Sequence, residues 1–226
     1  LDKTDDAVKQ LRKMTTLRPS DPAPSIALGD ILRSRERHVE AIVAYDQALV
    51  KVKTPENRHW SLFYARGISL EQSKQWPRAE GDFLKALELN AEQPLVLNYL
   101  GYSWVDRGQN LERAQKMIVK AVELRPSDGY IADSLGWVYY KVGKYERAVK
   151  ELDRAVELLP DDPIINDHLG DAFWRVGRYR EAKFQWQRVL GLNPKPELEV
   201  QIKNKLKVGL KDAAQAKAKA KAANGG

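Results

Sequence analysis

The side chains that could do chemistry in this 226-residue chain are its histidines, serines, carboxylates and lysines, and it contains no cysteine. Thiolate catalysis, disulfides and cysteine-ligated metals are therefore excluded, and either a reducing or an oxidising compartment fits. The three histidines, His38, His59 and His168, are far apart, and none has a second ligand at metal-site spacing. We expect surface or partly buried histidines, no metal and no cofactor.

The sequence also carries no motif for nucleophilic catalysis or phosphate binding. No serine or histidine lies in a nucleophile motif, and no glycine-rich loop could cradle a phosphate. Most carboxylates, such as Glu146, Glu151 and Glu157, fall where a solvated helix face explains them. We predict that the chain is not an enzyme and takes no small-molecule substrate.

The net charge of +7 is concentrated near the C-terminus, since residues 195–226 hold eight lysines and three acidic residues, a local charge of +5. Electrostatic binding to nucleic acid or an anionic membrane is one interpretation of these lysines. The same stretch has no arginine or aromatic residue that could stack on bases. We therefore favour a solubilising terminus and expect no nucleic-acid partner.

Glycine recurs at a near-constant interval along the chain, with spacings of 38, 34, 35 and 34 residues. These glycines are Gly29, Gly67, Gly101, Gly136 and Gly170. Each is followed 12 or 13 residues later by an alanine and, seven residues further on, by alanine or valine. Between those two small residues comes a large one: Tyr45, Phe83, Ile118, Leu152 or Trp186.

This periodicity predicts an array of helical hairpins. Apolar residues at i, i+3, i+4 and i+7 around each glycine and each alanine pair indicate two short amphipathic helices per period. Gly143 and Gly177 fall where the first helix must stop. Prolines that cannot continue a helix follow the second one, at Pro126, Pro160 and Pro194. The small residues mark the helix crossings.

Residues 132–162 resemble a tetratricopeptide repeat (TPR) almost position by position; they read ADSLGWVYYKVGKYERAVKELDRAVELLPDD. The resemblance covers residues 21–196, or five repeats. Glu36 and Lys74 replace the usual turn glycine in the first two, and an insertion around Thr54–His59 lengthens the first junction. The resemblance implies an all-α fold, an α-solenoid with a right-handed superhelix, and a non-catalytic scaffold for protein binding.

The ends of the chain extend this division. Residues 1–20 read as the orphan second helix of a preceding repeat, and with the initial Leu1 they suggest a piece of a longer array. Residues 197–210 form the expected capping helix, because Leu198, Ile202, Leu206 and Leu210 recur every four residues. Residues 211–226 are Lys- and Ala-rich, and we expect a flexible tail.

The resemblance also implies a binding groove, because in the family five positions of each repeat point to the concave face. Here those positions include six aromatic residues, five of them in the last three repeats. The candidate groove residues are Tyr64, Asn98, Tyr102, Asp106, Tyr130, Asp133, Trp137, Tyr140, Lys141, Asp167, Asp171, Trp174 and Arg175. Large amphipathic rings of this kind dominate protein–protein hot spots.

The polar groove residues lean acidic towards the C-terminus, which favours a partner segment with apolar anchors and some Lys or Arg. In the alternative interpretation, Trp137 or Trp174 only fills space against a neighbouring repeat or the N-terminal helix. Relatives that clamp a terminal carboxylate use a Lys–Asn pair, and no repeat here carries one, so we expect no binding of chaperone tails.

Three runs resemble the C-terminal repeats of bacterial cell-envelope TPR proteins, some of them lipoproteins that partner a periplasmic carboxyl-terminal processing protease: LNYLGYSWVDRG, IADSLGWVYYKVGKYERAV and HLGDAFWRVGRYREA. That resemblance implies an adaptor associated with the periplasm or outer membrane, within a longer parent protein. An alternative for the same fold is self-association, in which the orphan helix or the groove docks onto a second copy.

Overall fold

The computed structural model describes residues 3–210, which form twelve α-helices and a short 3-10 helix at Asn57–His59. The α-helices are α1 Lys3–Leu17, α2 Ala23–Ser34, α3 His38–Lys51, α4 Trp60–Gln72, α5 Trp76–Leu89, α6 Pro94–Asp106, α7 Leu111–Leu124, α8 Gly129–Lys141, α9 Tyr145–Leu158, α10 Pro163–Arg175, α11 Tyr179–Gly191 and α12 Pro196–Val208. Residues 3–210 contain no strand, so the all-α prediction is confirmed. The expected flexible tail, residues 211–226, lies outside the described part.

The chain forms two compact units, one ending at Leu100 and the other beginning at Gly101, within α6. In the first unit α2 packs on α3 and α4 on α5, while α1 packs on α2 and α3 on α4. In the second unit α8 packs on α9 and α10 on α11, while α7 contacts α8, α9 contacts α10 and α11 contacts α12. Each unit is thus a row of hairpins in which a helix packs mainly on its sequence neighbours.

The periodic glycines lie at the helix crossings, as the spacing predicts. A Cβ placed on Gly136 would come 2.5 Å from Leu152 Cγ, far closer than side-chain atoms approach each other. The other four periodic glycines face Tyr45, Phe83, Ile118 and Trp186 in the same way. The glycine in one helix and the large residue in the next therefore form one packing unit in every hairpin, and all five large residues are fully buried.

The turns inside the hairpins require a left-handed backbone at one position. Gly143 and Gly177 have φ of +79° and +81° there. In the first two hairpins Glu36 and Lys74 adopt the same conformation, with φ of 59° and 61°, although a side chain makes it less favourable. The turn geometry is therefore maintained where the sequence lacks the glycine.

The helices α8 and α10, which carry most candidate site residues, begin at aspartate caps. Asp128 accepts hydrogen bonds from the backbone N–H groups of Tyr130 and Ile131, and Asp162 accepts from Ile164 and Ile165. Such caps satisfy backbone donors that have no partner within the helix. They fix where each helix starts, and therefore which residues share its faces.

The helices α1 and α12 each pack into the hydrophobic core of their own unit. Val8 of α1 is buried in the first unit's core, and Leu198 and Ile202 of α12 are buried in the second unit's core. Within residues 3–210 we find no helix of the length and apolar character needed to cross a membrane.

Candidate functional site

Eleven of the thirteen candidate groove residues belong to the second unit, where α6, α8 and α10 carry them. The other two, Tyr64 and Asn98, lie in the first unit. Tyr64 is half-buried in a ring cluster with Trp60, Phe83 and Tyr99, with centroid distances of 5.9–6.2 Å, and this burial raises its pKa. These ring contacts indicate that Tyr64 serves packing. The Oδ1 atom of Asn98 is buried without a hydrogen-bond partner.

Asp133 of α8 and His168 of α10 form a buried pair, with 2.8 Å between Asp133 Oδ1 and His168 Nδ1. The imidazole also stacks on Trp137, with ring centroids 4.0 Å apart and planes 15° apart. Burial alone would lower the pKa of His168, but the charges of Asp133, Asp167 and Asp171 and the hydrogen bond outweigh it and raise the pKa. We expected a surface or partly buried histidine, but His168 is buried because the preceding repeat supplies Asp133 as its partner.

A second buried group joins α10 to α12. The ammonium of Lys205 lies 2.6 and 2.9 Å from the two carboxylate oxygens of Asp167 and 2.7 Å from Asp171 Oδ1. Asp171 Oδ1 also accepts a hydrogen bond from Trp186 Nε1 at 3.1 Å. The side chains of both aspartates are 9% exposed, and that of Lys205 is 15% exposed.

The pKa shifts in this group follow from crowding of charge under burial. Burial and the neighbouring Asp167 raise the pKa of Asp171 to about 6, against the opposing effects of Lys205 and His168. Burial would lower the pKa of Lys205, but the two aspartates and their hydrogen bonds outweigh it and raise the pKa. The group thus holds the Lys205 side chain between two buried aspartates.

The expected acidic surface is therefore not exposed in the second unit. Asp133, Asp167 and Asp171 are all buried. Asp133 is hydrogen-bonded to His168, and Asp167 and Asp171 accept hydrogen bonds from Lys205. His168 and Lys205 therefore take the place that the sequence analysis assigned to basic residues of a partner. Of the four candidate aspartates only Asp106 is exposed.

The aromatic candidates on α8 form a stacked surface. Trp137 and Tyr140 are half-buried and nearly parallel, with planes 4° apart and centroids separated by 4.7 Å. Arg175 Nε donates to the Tyr140 hydroxyl at 3.2 Å, and Lys141 Nζ lies 5.3 Å from the Trp137 ring centroid. Tyr130, one helical turn before Asp133, is 59% exposed. We call Tyr130, Trp137, Tyr140 and Lys141 the α8 platform.

The surroundings of the platform are of mixed polarity. Lys141 Nζ is 4.0 Å from an oxygen of Asp106 on α6, and both side chains are substantially exposed. Tyr102, also on α6, is half-buried. At the start of α8, Tyr130 borders a surface cavity of about 460 Å³ lined by Arg125, Pro126, Ser127, Asp128, Gly129 and Leu159.

Trp174 has a different environment and packs against α11 and the residue that follows α12. Its ring lies 4.6 Å from that of Tyr179 and 5.3 Å from that of Trp186, centroid to centroid. A Cβ on Gly209 would come within 2.0 Å of Trp174 Cζ2, so the glycine after α12 lies flat against the indole. Trp137 thus contacts His168 of a neighbouring repeat, whereas Trp174 contacts Gly209 after α12, which is neither a neighbouring repeat nor the N-terminal helix.

His168 and Lys205 are the two residues of this region that were missing from the candidate groove residues. A signal for both exists in the sequence, because charged or hydrogen-bonding partners recur about one repeat apart. The pairs Asp106–Lys141, Asp133–His168 and Tyr140–Arg175 are each 35 residues apart, and Asp171–Lys205 are 34 apart. Within residues 3–210 no group of three or more His, Asp or Glu side chains is arranged to hold a metal ion.

Comparison with known proteins finds similar repeats in two segments of the chain. Residues 1–57 match the family model described as tetratricopeptide repeat, and residues 136–177 match one described as TPR repeat. Both segments are therefore similar to tetratricopeptide repeats. A TPR repeat-containing protein of Pseudomonas aeruginosa is 29% identical over 144 residues, which are 63% of this chain and 24% of that protein. The chain therefore matches about a quarter of that relative's length.

Solved TPR structures share the fold at low sequence identity. The APC/C hetero-tetramer Cut9–Hcn1 has a TM-score of 0.76 and 19% identity, covering 93% of this chain and 40% of that one. YrrB, described as a TPR protein with an unusual peptide-binding site, has a TM-score of 0.62 and 20% identity, covering 86% of this chain and 97% of its own. The TPR solenoid class is thereby confirmed, and proteins of this fold generally mediate protein–protein interaction.

Proposed function

We propose that the chain is a non-catalytic TPR scaffold that binds a peptide or helix of a protein partner, with the α8 platform as the main contact. The observation that carries the proposal is the half-buried stack of Trp137 and Tyr140 beside the exposed Tyr130. Exposed parts of large rings supply much contact area and have few rotamers to immobilise on binding.

The platform is held in place by residues behind it. Asp133 orients His168, which stacks on Trp137, and Arg175 donates to the Tyr140 hydroxyl. Rings fixed in this way lose little conformational entropy when a ligand arrives. The buried pair thus contributes to binding by preorganising the surface, without contacting the partner.

The test compares partner capture by the wild type with capture by a variant carrying Tyr130→Ala and Trp137→Ala. Capture followed by mass spectrometry identifies the partner, and titration with the purified partner then gives the affinity. We expect the variant to bind at least about 10-fold more weakly, as for loss of a hot-spot aromatic residue.

The matched control replaces an exposed aromatic on the other helix of a hairpin, Phe184→Ala in α11, which is 62% exposed. This variant should bind as the wild type does. Equal binding by wild type and by a Tyr130→Ala, Trp137→Ala variant that circular dichroism shows to be folded would reject the α8 platform.

A bacterial cell-envelope adaptor is the finer form of this proposal, and its first partner to test is a periplasmic carboxyl-terminal processing protease. It is supported by the resemblance of the third to fifth repeats to envelope TPR proteins. The test measures cleavage of a model substrate by a purified protease of this class with and without the chain. If the chain neither binds the protease nor changes its rate, this form of the proposal is wrong.

Self-association is a second candidate, favoured by an apolar stripe on α3. Val39, Val43 and Val50 are 68%, 53% and 82% exposed, and Leu17 of α1 is 69% exposed. A cluster of exposed apolar side chains can mark a protein interface. Light scattering across a concentration series should show a dimer that Val43→Glu dissociates, and a monomer at every concentration would exclude this candidate.

A further inference from the structure

Lys205 of α12 is bound by α10 residues in the way that a ligand is bound in a site. Three carboxylate oxygens, two from Asp167 and one from Asp171, surround the Lys205 ammonium at 2.6–2.9 Å. An ammonium group has three N–H donors, so the donors and acceptors match in number. The Trp186 ring, 5.9 Å from Lys205 Nζ, adds a further favourable contact for a cation.

The same contact specifies a second position. Gly209, four residues after Lys205, lies against the Trp174 indole where any Cβ would clash, and its φ of +71° also favours glycine. The face formed by Asp167, Asp171 and Trp174, which we call the lysine site, therefore recognises a lysine followed four residues later by glycine.

We propose that the lysine site is a recognition site for a partner segment with this pattern, and that α12 occupies it in cis until such a segment displaces its C-terminal half. The proposal rests on the proposed function, because it adds the chemistry of the partner and a form of regulation to the surface carried by α8 and α10. The partner ligand is a basic peptide or helix.

The burial along α12 favours displacement of its C-terminal half alone. Ile202 is fully buried and Leu198 is 9% exposed, so the N-terminal half is held by the core. In the C-terminal half Val208 is 60% exposed, and Leu206 and Leu210 are only partly buried. Lys205 and Gly209 therefore supply much of the contact that keeps this half closed.

The charges of Asp167 and Asp171 make displacement of α12 depend on a second cation that replaces Lys205. If Lys205 leaves without replacement, two buried carboxylates lose their counter-ion, which is strongly unfavourable. A lysine from a partner restores the balance, so exchange of one ammonium for another costs much less than simple opening. The site is thus expected to open when a basic segment arrives.

The experiment uses the full chain and a fluorescein-labelled peptide of residues 202–210, IKNKLKVGL. In the variant Lys205→Met the lysine site lacks its internal cation, and we expect fluorescence anisotropy to show at least about 10-fold tighter peptide binding than to the wild type. A peptide with methionine in place of the lysine that matches Lys205 should show no such gain.

The matched control is Lys203→Met, which removes an exposed lysine of the same helix that pairs with Glu199. It should bind the peptide as the wild type does. Equal affinity for the two variant chains, or a gain that does not depend on the peptide's lysine, would overturn the proposal.

Removal of Lys205 alone could unfold the end of the chain, so the same titration is run on Asp167→Asn, Lys205→Met, which removes one charge of each sign. Asp171 remains to bind the peptide's lysine, so a smaller gain is expected that still depends on that lysine. The titration involves no partner protein. If the peptide test fails while partner capture still depends on Tyr130 and Trp137, the lysine site is rejected and the proposed function stands. If the peptide binds as expected while partner capture does not depend on Tyr130 and Trp137, the α8 platform is rejected and the lysine site stands.

Discussion

The buried pair of Asp133 and His168 makes the stability of the second unit depend on pH. The groups facing His168 are Asp133 from α8 and Asp167 and Asp171 on α10, the last two also holding Lys205 of α12. Because the pKa of His168 is raised in the folded chain, the unfolded chain loses its imidazole proton first, near pH 6.5. The stability from this proton is therefore complete below pH 6.5 and is lost as the pH rises through the folded pKa.

We expect Asp133→Asn to lower the free energy of unfolding by about 1–3 kcal/mol at pH 6.5 and by less at pH 9. Urea unfolding followed between pH 6.5 and 9 measures this difference. Asp171, with its pKa raised to about 6, acts with the same sign but mainly below this window. Asp106→Asn, at an exposed aspartate, is the control and should not change the slope. Parallel pH curves for wild type and Asp133→Asn would contradict the prediction.

The glycine at each helix crossing offers a second test at the level of single residues. A methyl group on Gly136 would overlap Leu152, whereas one on Gly81, in the middle of α5, would meet nothing within 4 Å. We expect Gly136→Ala to cost about 1–3 kcal/mol through overpacking and Gly81→Ala to add about 0.5–1 kcal/mol through helix propensity. Urea denaturation measures both, and a loss of equal size in the two variants would contradict the packing explanation.

The helices and their hairpin pairing could be predicted from the sequence because each rests on a local pattern repeated five times. The glycine opposite Tyr45, Phe83 or Trp186 is an example: spacing alone identifies both members. The state of the acidic residues could not be predicted in this way. Whether Asp167 faces solvent depends on Lys205, which lies 38 residues away on α12 and belongs to no local pattern around Asp167.

The turns within the hairpins give a prediction at the scale of the element. Lys74 and Gly177 occupy equivalent left-handed positions, with φ of 61° and 81°, and Lys74 is exposed. Lys74→Gly removes an unfavourable Cβ contact and should stabilise the chain by roughly 0.5–1 kcal/mol, after the greater entropy of glycine in the unfolded chain is subtracted. Gly177→Lys should destabilise it by about 1–2 kcal/mol. Thermal unfolding should move in opposite directions for the two variants, and a shift in the same direction would show that the backbone angle is not the cause.

At the scale of the whole molecule, contacts between sequence neighbours predict that damage stays local. Trp186 and Tyr45 occupy the same repeat position, are fully buried, and donate hydrogen bonds to Asp171 and Asp30 respectively. Truncation of either to alanine should cost about 3–5 kcal/mol. In repeat arrays such a loss acts on the hairpins that touch the site, because stability is a sum of repeat and neighbour contributions.

Hydrogen exchange measured by mass spectrometry on separate segments distinguishes local from global loss. Trp186→Ala should speed amide exchange in α10, α11 and α12 while α2 and α3 keep their wild-type protection. Tyr45→Ala should give the reverse pattern, and each variant is therefore the control for the other. If either substitution speeds exchange equally in both sets of helices, the chain unfolds as one cooperative body, and the glycine-to-aromatic contact of a single hairpin then limits the stability of all of them.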